Sequence, residues 1–281
     1  MKNILVLDGK KVAFEIECKL KEKVNDLKEK TGKVPTLATI VVGDNKASHT
    51  YVRMKGKACE RIGINSIKIE LDSTCTTEEL VEIVENLNND SSVNGVLIQH
   101  PLPRHIDERK CFDSIKLEKD VDGVTSCGFG AMSMGEKVFL SATPKGIIRL
   151  VDYYNIELKG KDVVVIGRSP ILGKPLAMML LNKDATVTIT HSKTIGLEKI
   201  VKRADVVVAC VGKANFVKKS WLKKGAVVID AGYNEGGIGD VDLNNVISRV
   251  SAYTPVPGGV GPMTIAMLLE QTVEAFENMN V

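Results

Sequence analysis

Histidine is scarce in this chain, four in 281 residues, and none stands in an H-E-x-x-H or comparable spacing. The six cysteines, at positions 18, 59, 75, 111, 127 and 210, include no C-x-x-C pair. Protein metal sites draw three or four such ligands from short, recognisable spacings, so no metal is expected and the cysteines read as reduced thiols. Aromatic residues make up only 4% of the chain, and the formal net charge is +3. With no basic stripe and no aromatics interleaved with cations, nucleic acid is not an expected partner. No apolar run approaches the ~20 residues of a membrane span. Met1 to Lys11 holds a four-residue apolar run before Asp8, too short for a secretory signal. The expectation is a cytoplasmic chain without membrane association. What is present, 44% hydrophobic and 26% charged residues, suits one large or two moderate α/β domains.

The organisation follows from hydrophobic period. Val12, Ile16, Leu20, Val24 and Leu27 recur nearly every fourth position and predict a helix ending at Gly32. Strands are predicted at Leu37–Val42, Ile67–Leu71 and Val96–Gln99, separated by helices over Ser48–Ile62 and Thr77–Leu87. That alternation predicts a parallel sheet covered by helices. Gly, Ser and Met between Asp120 and Gly135 mark connecting structure. The alternation then resumes with strands at Val163–Ile166, Thr186–Thr190, Val206–Cys210 and Val227–Ile229, and helices beginning near Gly173, Ile195 and Ser220. Residues 255–262 read as a rigid turn-rich loop, and Met263 to Asn278 as a helix. The expected fold class is α/β with two domains flanking a cleft: residues 1–121, onto which a C-terminal helix over 263–281 packs back, and a Rossmann-like domain over 139–262.

The most specific segment is Val163-Val-Val-Ile-Gly-Arg-Ser-Pro-Ile-Leu-Gly-Lys-Pro175, a buried strand running through a glycine turn into a helix. Backbone N–H groups at a helix start attract a pyrophosphate, and Gly167 and Gly173 remove the Cβ atoms that would block its approach. About twenty residues on, where an NAD-selective site carries an acidic residue, the strand Thr186–Thr190 ends in His-Ser-Lys-Thr. A cation and hydroxyls in place of a carboxylate, Arg168 with Ser192 and Lys193, suit a 2′-phosphate. The cofactor expected is NADP.

In the first half, Tyr51 and Lys55 lie four apart in a predicted helix and share a face. Short-chain dehydrogenases use such a pair after the glycine turn, whereas here it precedes Gly167 by more than a hundred residues, which argues against that class. Gln99 ends a buried strand before His100-Pro-Leu-Pro103, at the edge where parallel sheets bind ligands. In Asp120-Val-Asp-Gly123, a locally extended chain puts both carboxylates on one side; an Asx turn is the competing expectation.

Together these segments, with Gly43-Asp-Asn-Lys-Ala-Ser-His-Thr-Tyr-Val-Arg-Met-Lys55, Ile98–Pro103, Lys119–Gly123, Thr143-Pro-Lys-Gly146, Gly167-Arg-Ser169, His191–Thr194 and Pro257–Thr264, resemble the bifunctional methylenetetrahydrofolate dehydrogenase/cyclohydrolase (FolD) family in order and over nearly the whole chain. The resemblance implies that 5,10-methylenetetrahydrofolate is oxidised with NADP and the methenyl product hydrolysed to 10-formyltetrahydrofolate. It implies Lys55 as acid/base, Tyr51 ordering the folate ring, Gln99 tuning the lysine and Asp122 anchoring the pterin. It further implies Thr143, Gly167, Arg168, Ser169, Gly173 and Ser192 at the cofactor, Pro257, Gly258 and Gly259 at the substrate, and a homodimer formed through the NADP domain. The chain departs from the pattern at His100, where the family usually has Leu, at Gly128 (Asn) and at Ser141-Ala142 (Pro-Cys). A monofunctional dehydrogenase and a non-catalytic dinucleotide sensor are the alternatives.

Overall fold

The computed structural model describes residues 4–280; Met1–Asn3 and Val281, the ends of the predicted domain spans, lie outside them. Its elements, in order, are β1 (Leu5–Val6), α1 (Gly9–Thr31), β2 (Thr36–Val42), α2 (Lys46–Ile62), β3 (Asn65–Leu71), α3 (Thr77–Asn89), β4 (Gly95–Ile98), α4 (Glu108–Asp113), α5 (Ser126–Ser133), α6 (Ala142–Tyr153), β5 (Asp162–Ile166), α7 (Gly173–Leu181), β6 (Thr186–Thr190), α8 (Leu197–Val201), β7 (Val206–Ala209), β8 (Val227–Asp230), α9 (Leu243–Val246), β9 (Ala252–Tyr253) and α10 (Val260–Asn280). They form two compact units. One comprises Phe14–Ala142 with the chain from Ile265 onward; the other comprises residues 4–13 with Thr143–Thr264.

The first unit holds a parallel sheet in the order β3-β2-β4. Every residue of β2, Thr-Leu-Ala-Thr-Ile-Val-Val, is buried, as expected of a central parallel strand covered on both faces. The helices are bounded by local chemistry. Asn45 caps α2 by accepting from the Ser48 N–H, and Gly63 ends it in the left-handed region. Thr76 and Glu79 cap α3 reciprocally.

The second unit holds a parallel sheet in the order β1-β9-β8-β7-β5-β6. The chain leaves β5 for β6 on one side and then returns to place β7 on the other. The carboxyl end of β5 is therefore the switch point where doubly wound sheets bind ligands. Val164, Ile166, Val207, Ala209 and Val228 pack with Val217, Leu222 and Val246 into its core.

Several boundaries differ from the sequence expectation. The first strand does not belong with residues 14–121: Leu5 pairs with Ala252 and Val6 with Tyr253, which attaches the N-terminal segment to the six-stranded sheet. Two-residue strands are too short for alternation to register in sequence. The helix expected near Ser220 is a single 3-10 turn at Lys219–Trp221, because Gly225 (φ 83°) and the start of β8 at Val227 leave no length for more. The stretch read as connection after Asp120 contains α5, and α6 follows it. Finally, α10 starts at Val260, inside the predicted loop, with Pro262 in its first turn, where a missing N–H costs no helical bond.

Candidate active site

Tyr51 and Lys55 lie one turn apart on α2, and Lys55 is 7% exposed. From the carboxyl end of β4 comes Gln99, whose N–H continues the ladder to the Ile40 carbonyl at 2.8 Å. The Lys55 Nζ donates to Gln99 Oε1 at 3.0 Å, while Gln99 Nε2 donates to the His100 carbonyl at 2.7 Å. The second bond fixes the amide so that its acceptor faces the lysine. Burial lowers the Lys55 pKa, opposed by the charges of Asp122 and Cys59. Burial raises the Asp122 pKa, opposed by Lys55 and His100. The site thus brings a lysine depressed toward neutral amine and a carboxylate within electrostatic reach of each other. Burial is the contribution that favours the neutral amine a base requires, and the aspartate opposes it.

Asp120 and Asp122 do not share one side of an extended strand. The Gly123 N–H donates to the Asp120 carbonyl at 3.0 Å, closing a turn, and the Asp120 carboxylate accepts from the Val124 and Thr125 N–H groups at 3.0 and 2.9 Å. Asp120, 1% exposed and pushed up to about 6 by burial, organises the loop. Lys119 is equally internal, donating to the Leu87 and Asp90 carbonyls at 2.8 and 2.7 Å. Of this segment Asp122 alone faces the lysine electrostatically. Gly128 packs against Thr125 and Asp120, where an added Cβ would stand 2.9 Å from the threonine hydroxyl.

Ser141 and Ala142, noted in the sequence only as departures from the family pattern, and Gln271, which sequence reasoning passed over, hold the segment that carries Asp122. Ser141 Oγ donates to the Gly123 carbonyl at 2.6 Å, and the Ala142 N–H to the Asp122 carbonyl at 3.1 Å. Gln271 on α10 donates through Nε2 to the Val121 and Leu140 carbonyls at 2.7 and 2.8 Å, and accepts from the Leu140 N–H at 2.9 Å. Its signal was available: a lone amide on the apolar face of a helix, 1% exposed in the fold.

In the other unit, Gly167 adopts φ 133°, and a Cβ there would lie 2.4 Å from the Cys210 carbonyl oxygen. A Cβ on Gly173 would lie 2.4 Å from the Gly167 carbonyl oxygen. The Lys174 N–H bonds the Ser169 carbonyl at 3.0 Å, and α7 begins without a side-chain cap. The Gly167 N–H bonds the Thr190 carbonyl at 2.9 Å, so the turn bearing Arg168 and the turn bearing Ser192 leave adjacent strand ends. Arg168 and Ser192 are both exposed. Bare backbone at an uncapped helix start, with a cation and hydroxyls but no carboxylate after β6, fits a dinucleotide bearing a 2′-phosphate.

Thr143 sits at the start of α6, its hydroxyl accepting from Thr264 at 3.0 Å. Val256–Pro257 is a cis peptide, and Gly258 (φ 106°) accepts the Lys10 N–H at 2.8 Å. A Cβ on Gly9 would stand 1.8 Å from the Gly259 carbonyl oxygen, so this close approach requires glycine at position 9, and a Cβ on Gly259 would stand 2.5 Å from the Pro255 carbonyl oxygen. Two buried aspartates brace the neighbouring loops. Asp240 accepts from the successive N–H groups of Val211, Gly212 and Lys213 at 2.6–2.9 Å, and Asp230 from those of Gly232, Asp240 and Val241 at 2.9 Å each. A depression of about 310 Å³ lined by Lys161, Asp205, Gly225 and Val227 lies at the opposite, amino end of this sheet and holds none of these groups.

Residues 7–122 match the tetrahydrofolate dehydrogenase/cyclohydrolase catalytic domain, and residues 141–280 match the NAD(P)-binding domain of the same family. A bifunctional protein FolD of Cellvibrio japonicus is 59% identical over 97% of this chain and 98% of its own length. The crystal structure of the bifunctional FolD enzyme of Campylobacter jejuni superposes with a TM-score of 0.95 at 46% identity, covering 98% of this chain and 99% of that one. The Trypanosoma brucei dehydrogenase-cyclohydrolase, solved with NADP cofactor and an inhibitor, gives a TM-score of 0.95 at 36% identity over 99% of both chains. With both halves matched by its two domains and a relative 59% identical over nearly the whole length, the chain belongs to the tetrahydrofolate dehydrogenase/cyclohydrolase family.

Proposed function

We infer that the chain oxidises 5,10-methylenetetrahydrofolate to 5,10-methenyltetrahydrofolate with NADP and hydrolyses that product to 10-formyltetrahydrofolate. The observation that carries the second step is the buried Lys55 Nζ at 3.0 Å from Gln99, with its pKa depressed by burial. In its neutral form Lys55 takes a proton from the water that adds to the methenyl carbon. It then returns a proton to the folate nitrogen as the C–N bond breaks, leaving the formyl group on the other nitrogen. Asp122 anchors the pterin, Tyr51 orders the ring, and Gln99 holds the lysine by the bond that its own tie to His100 orients.

NADP, when bound, supplies the hydride acceptor for the first step. Its phosphates belong at Gly167, Ser169 and the start of α7, and its 2′-phosphate at Arg168 and Ser192. Thr143 lies on the same unit, and Pro257, Gly258 and Gly259 serve the substrate. We assign the chain to the cytoplasm; no described helix is long and apolar enough to cross a membrane. A homodimer would form through the edge strand β6, where Ile189 and the nearby Leu181 and Ile195 are exposed; sedimentation as a monomer at micromolar concentration contradicts it. The bifunctional reading is tested by methenyltetrahydrofolate hydrolysis without NADP. A rate above the uncatalysed one supports it, and its absence in an enzyme that still reduces NADP leaves a monofunctional dehydrogenase.

A further inference from the structure

The two aspartates that brace the loops after β7 and β8 have no part in the assignments above. Asp240 is fully buried, and both of its oxygens are filled. Oδ2 accepts from the Val211 and Gly212 N–H groups at 2.6 and 2.9 Å, and Oδ1 from the Lys213 N–H at 2.8 Å and from Asn234 Nδ2 at 3.1 Å. The main chain joins the same two loops: the Asn215 N–H donates to the Gly239 carbonyl and the Val217 N–H to the Asp240 carbonyl, each at 2.9 Å. Asp230, the last residue of β8, accepts from the N–H groups of Asp240 and Val241 at 2.9 Å and so fixes the backbone that carries Asp240. There is no slack, because a Cβ on Gly232 would overlap the Asp240 carboxyl and one on Gly239 the Asp230 carboxyl. One side chain thus sets the path of the chain from Val211 to Lys213 as it leaves β7.

The order of strands gives this segment its place at the cofactor. β5 lies between β6 and β7. Arg168 and Ser192, assigned to the 2′-phosphate, follow β5 and β6, so the adenosine half of the dinucleotide belongs on the β6 side, with the pyrophosphate at the Gly167 turn. The nicotinamide half then continues to the β7 side, because a dinucleotide spans the crevice at the switch point. Residues 211–213 form the lip of the crevice on that side. Their loop adjoins the phosphate turn directly: the Cys210 N–H donates to the Ile166 carbonyl at 2.9 Å, and a Cβ on Gly167 would overlap the Cys210 carbonyl. Gly212 is exposed in the left-handed region (φ 63°), and no described atom lies within 4 Å of the place a Cβ would take. Its backbone is therefore bare on one side and tied to Asp240 on the other. We propose that Asp240 is a positioning residue for the cofactor: by taking up the N–H groups of Val211, Gly212 and Lys213 it holds their backbone as the seat of the nicotinamide half of NADP. The proposal rests on the reading of the cofactor site given above.

Asp240→Asn keeps the side-chain volume but accepts on one atom only. Whichever way the amide turns, two of the four donors face its N–H₂ group, and segment 211–213 is displaced. Titration calorimetry on the full chain measures Kd for NADP and for adenosine 2′,5′-bisphosphate, which carries the adenosine half and the 2′-phosphate but no nicotinamide half. NADP binds the variant about tenfold more weakly, the worth of one misplaced hydrogen bond, while the Kd of the bisphosphate stays within about twofold of wild type. Unchanged affinity for NADP overturns the proposal. An equal loss for both ligands overturns it too, assigning Asp240 to the stability of the unit as a whole. Should Asp240→Asn not fold, Asn234→Ala decides, since it removes one donor from Oδ1 and leaves the three backbone donors paired. NADP then binds about threefold more weakly with the bisphosphate unaffected, and no change in NADP affinity overturns the proposal. A wild type that binds neither ligand overturns the cofactor reading itself, and this proposal with it.

Discussion

Replacing Lys55 with Met separates catalysis from stability in a way the structure quantifies. The side chain is 7% exposed, and its Nζ donates to Gln99 at 3.0 Å. Removing Nζ forfeits the hydrogen bond of the neutral amine to Gln99, about 0.5–1.5 kcal/mol net. It also lifts the cost of burying a polar amine, about 1–3 kcal/mol, and methionine fills the same space. The two contributions nearly cancel. Asp122 is driven toward its protonated form by burial, so no stranded charge results. The unfolding midpoint therefore stays within about 4 °C of wild type, or rises, a change of about 1 kcal/mol for domains of this size. Catalysis does not cancel. Loss of the group proposed to move the water proton costs about 10²–10⁴-fold in methenyltetrahydrofolate hydrolysis, or roughly 3–5 kcal/mol of barrier. Thermal unfolding by circular dichroism and the decay of methenyltetrahydrofolate absorbance measure the two quantities on one preparation. A variant that hydrolyses within tenfold of wild type refutes the role of Lys55, and one that loses 10 °C refutes the desolvation argument.

Arg168→Gln raises the KM for NADP by about 10- to 100-fold, the worth of one charge-assisted phosphate contact, while leaving the KM for NAD within about twofold; equal effects on both cofactors refute its assignment to the 2′-phosphate. Gly9→Ala forces a methyl group against the Gly259 carbonyl oxygen, backbone that cannot rotate away, and lowers stability by about 1–3 kcal/mol, read as a lower urea midpoint; an unchanged midpoint refutes the close approach. Asp120 and Asp230 both have folded-state pKa values raised to about 6 from 3.8 by burial, so folding takes up protons. Their stabilisation is complete below pH 3.8, is lost as pH rises through 6, and amounts to about 3 kcal/mol each at most. Urea midpoints should be lower at pH 7.5 than at pH 5, and a midpoint that rises over this range contradicts it.

Much of this architecture was legible because its strands are long and uniformly apolar. Thr36–Val42 and Asp162–Ile166 run between clear glycine and proline punctuation, and the turn from Gly167 to Gly173 declared its use through residues that exclude a Cβ. What escaped detection was either short or non-local. The pairing of Leu5–Val6 with Ala252–Tyr253 joins segments nearly 250 residues apart, and neither is long enough to show a period. Gln271 stood out as an amide on an apolar helix face, but its partners, Val121 and Leu140, are too far off in the chain for any local pattern to name. Asp120 and Asp122 were indistinguishable by type and spacing; only the turn at Gly123 directs one carboxylate to backbone N–H groups and leaves the other for Lys55. The sequence singled out His100 as an oddity beside Gln99, but its partner Glu108 lay on a helix that no pattern announced.

The central claim is that one chain couples a folate carbon to NADP. Spectrophotometric NADPH formation from 5,10-methylenetetrahydrofolate, run beside the same reaction with NAD, tests it most directly. The account predicts rapid NADPH formation with 10-formyltetrahydrofolate accumulating, and NAD turned over at least tenfold less efficiently in kcat/KM, about the worth of one lost 2′-phosphate contact. No reduction of NADP, or equal or better turnover of NAD, contradicts it.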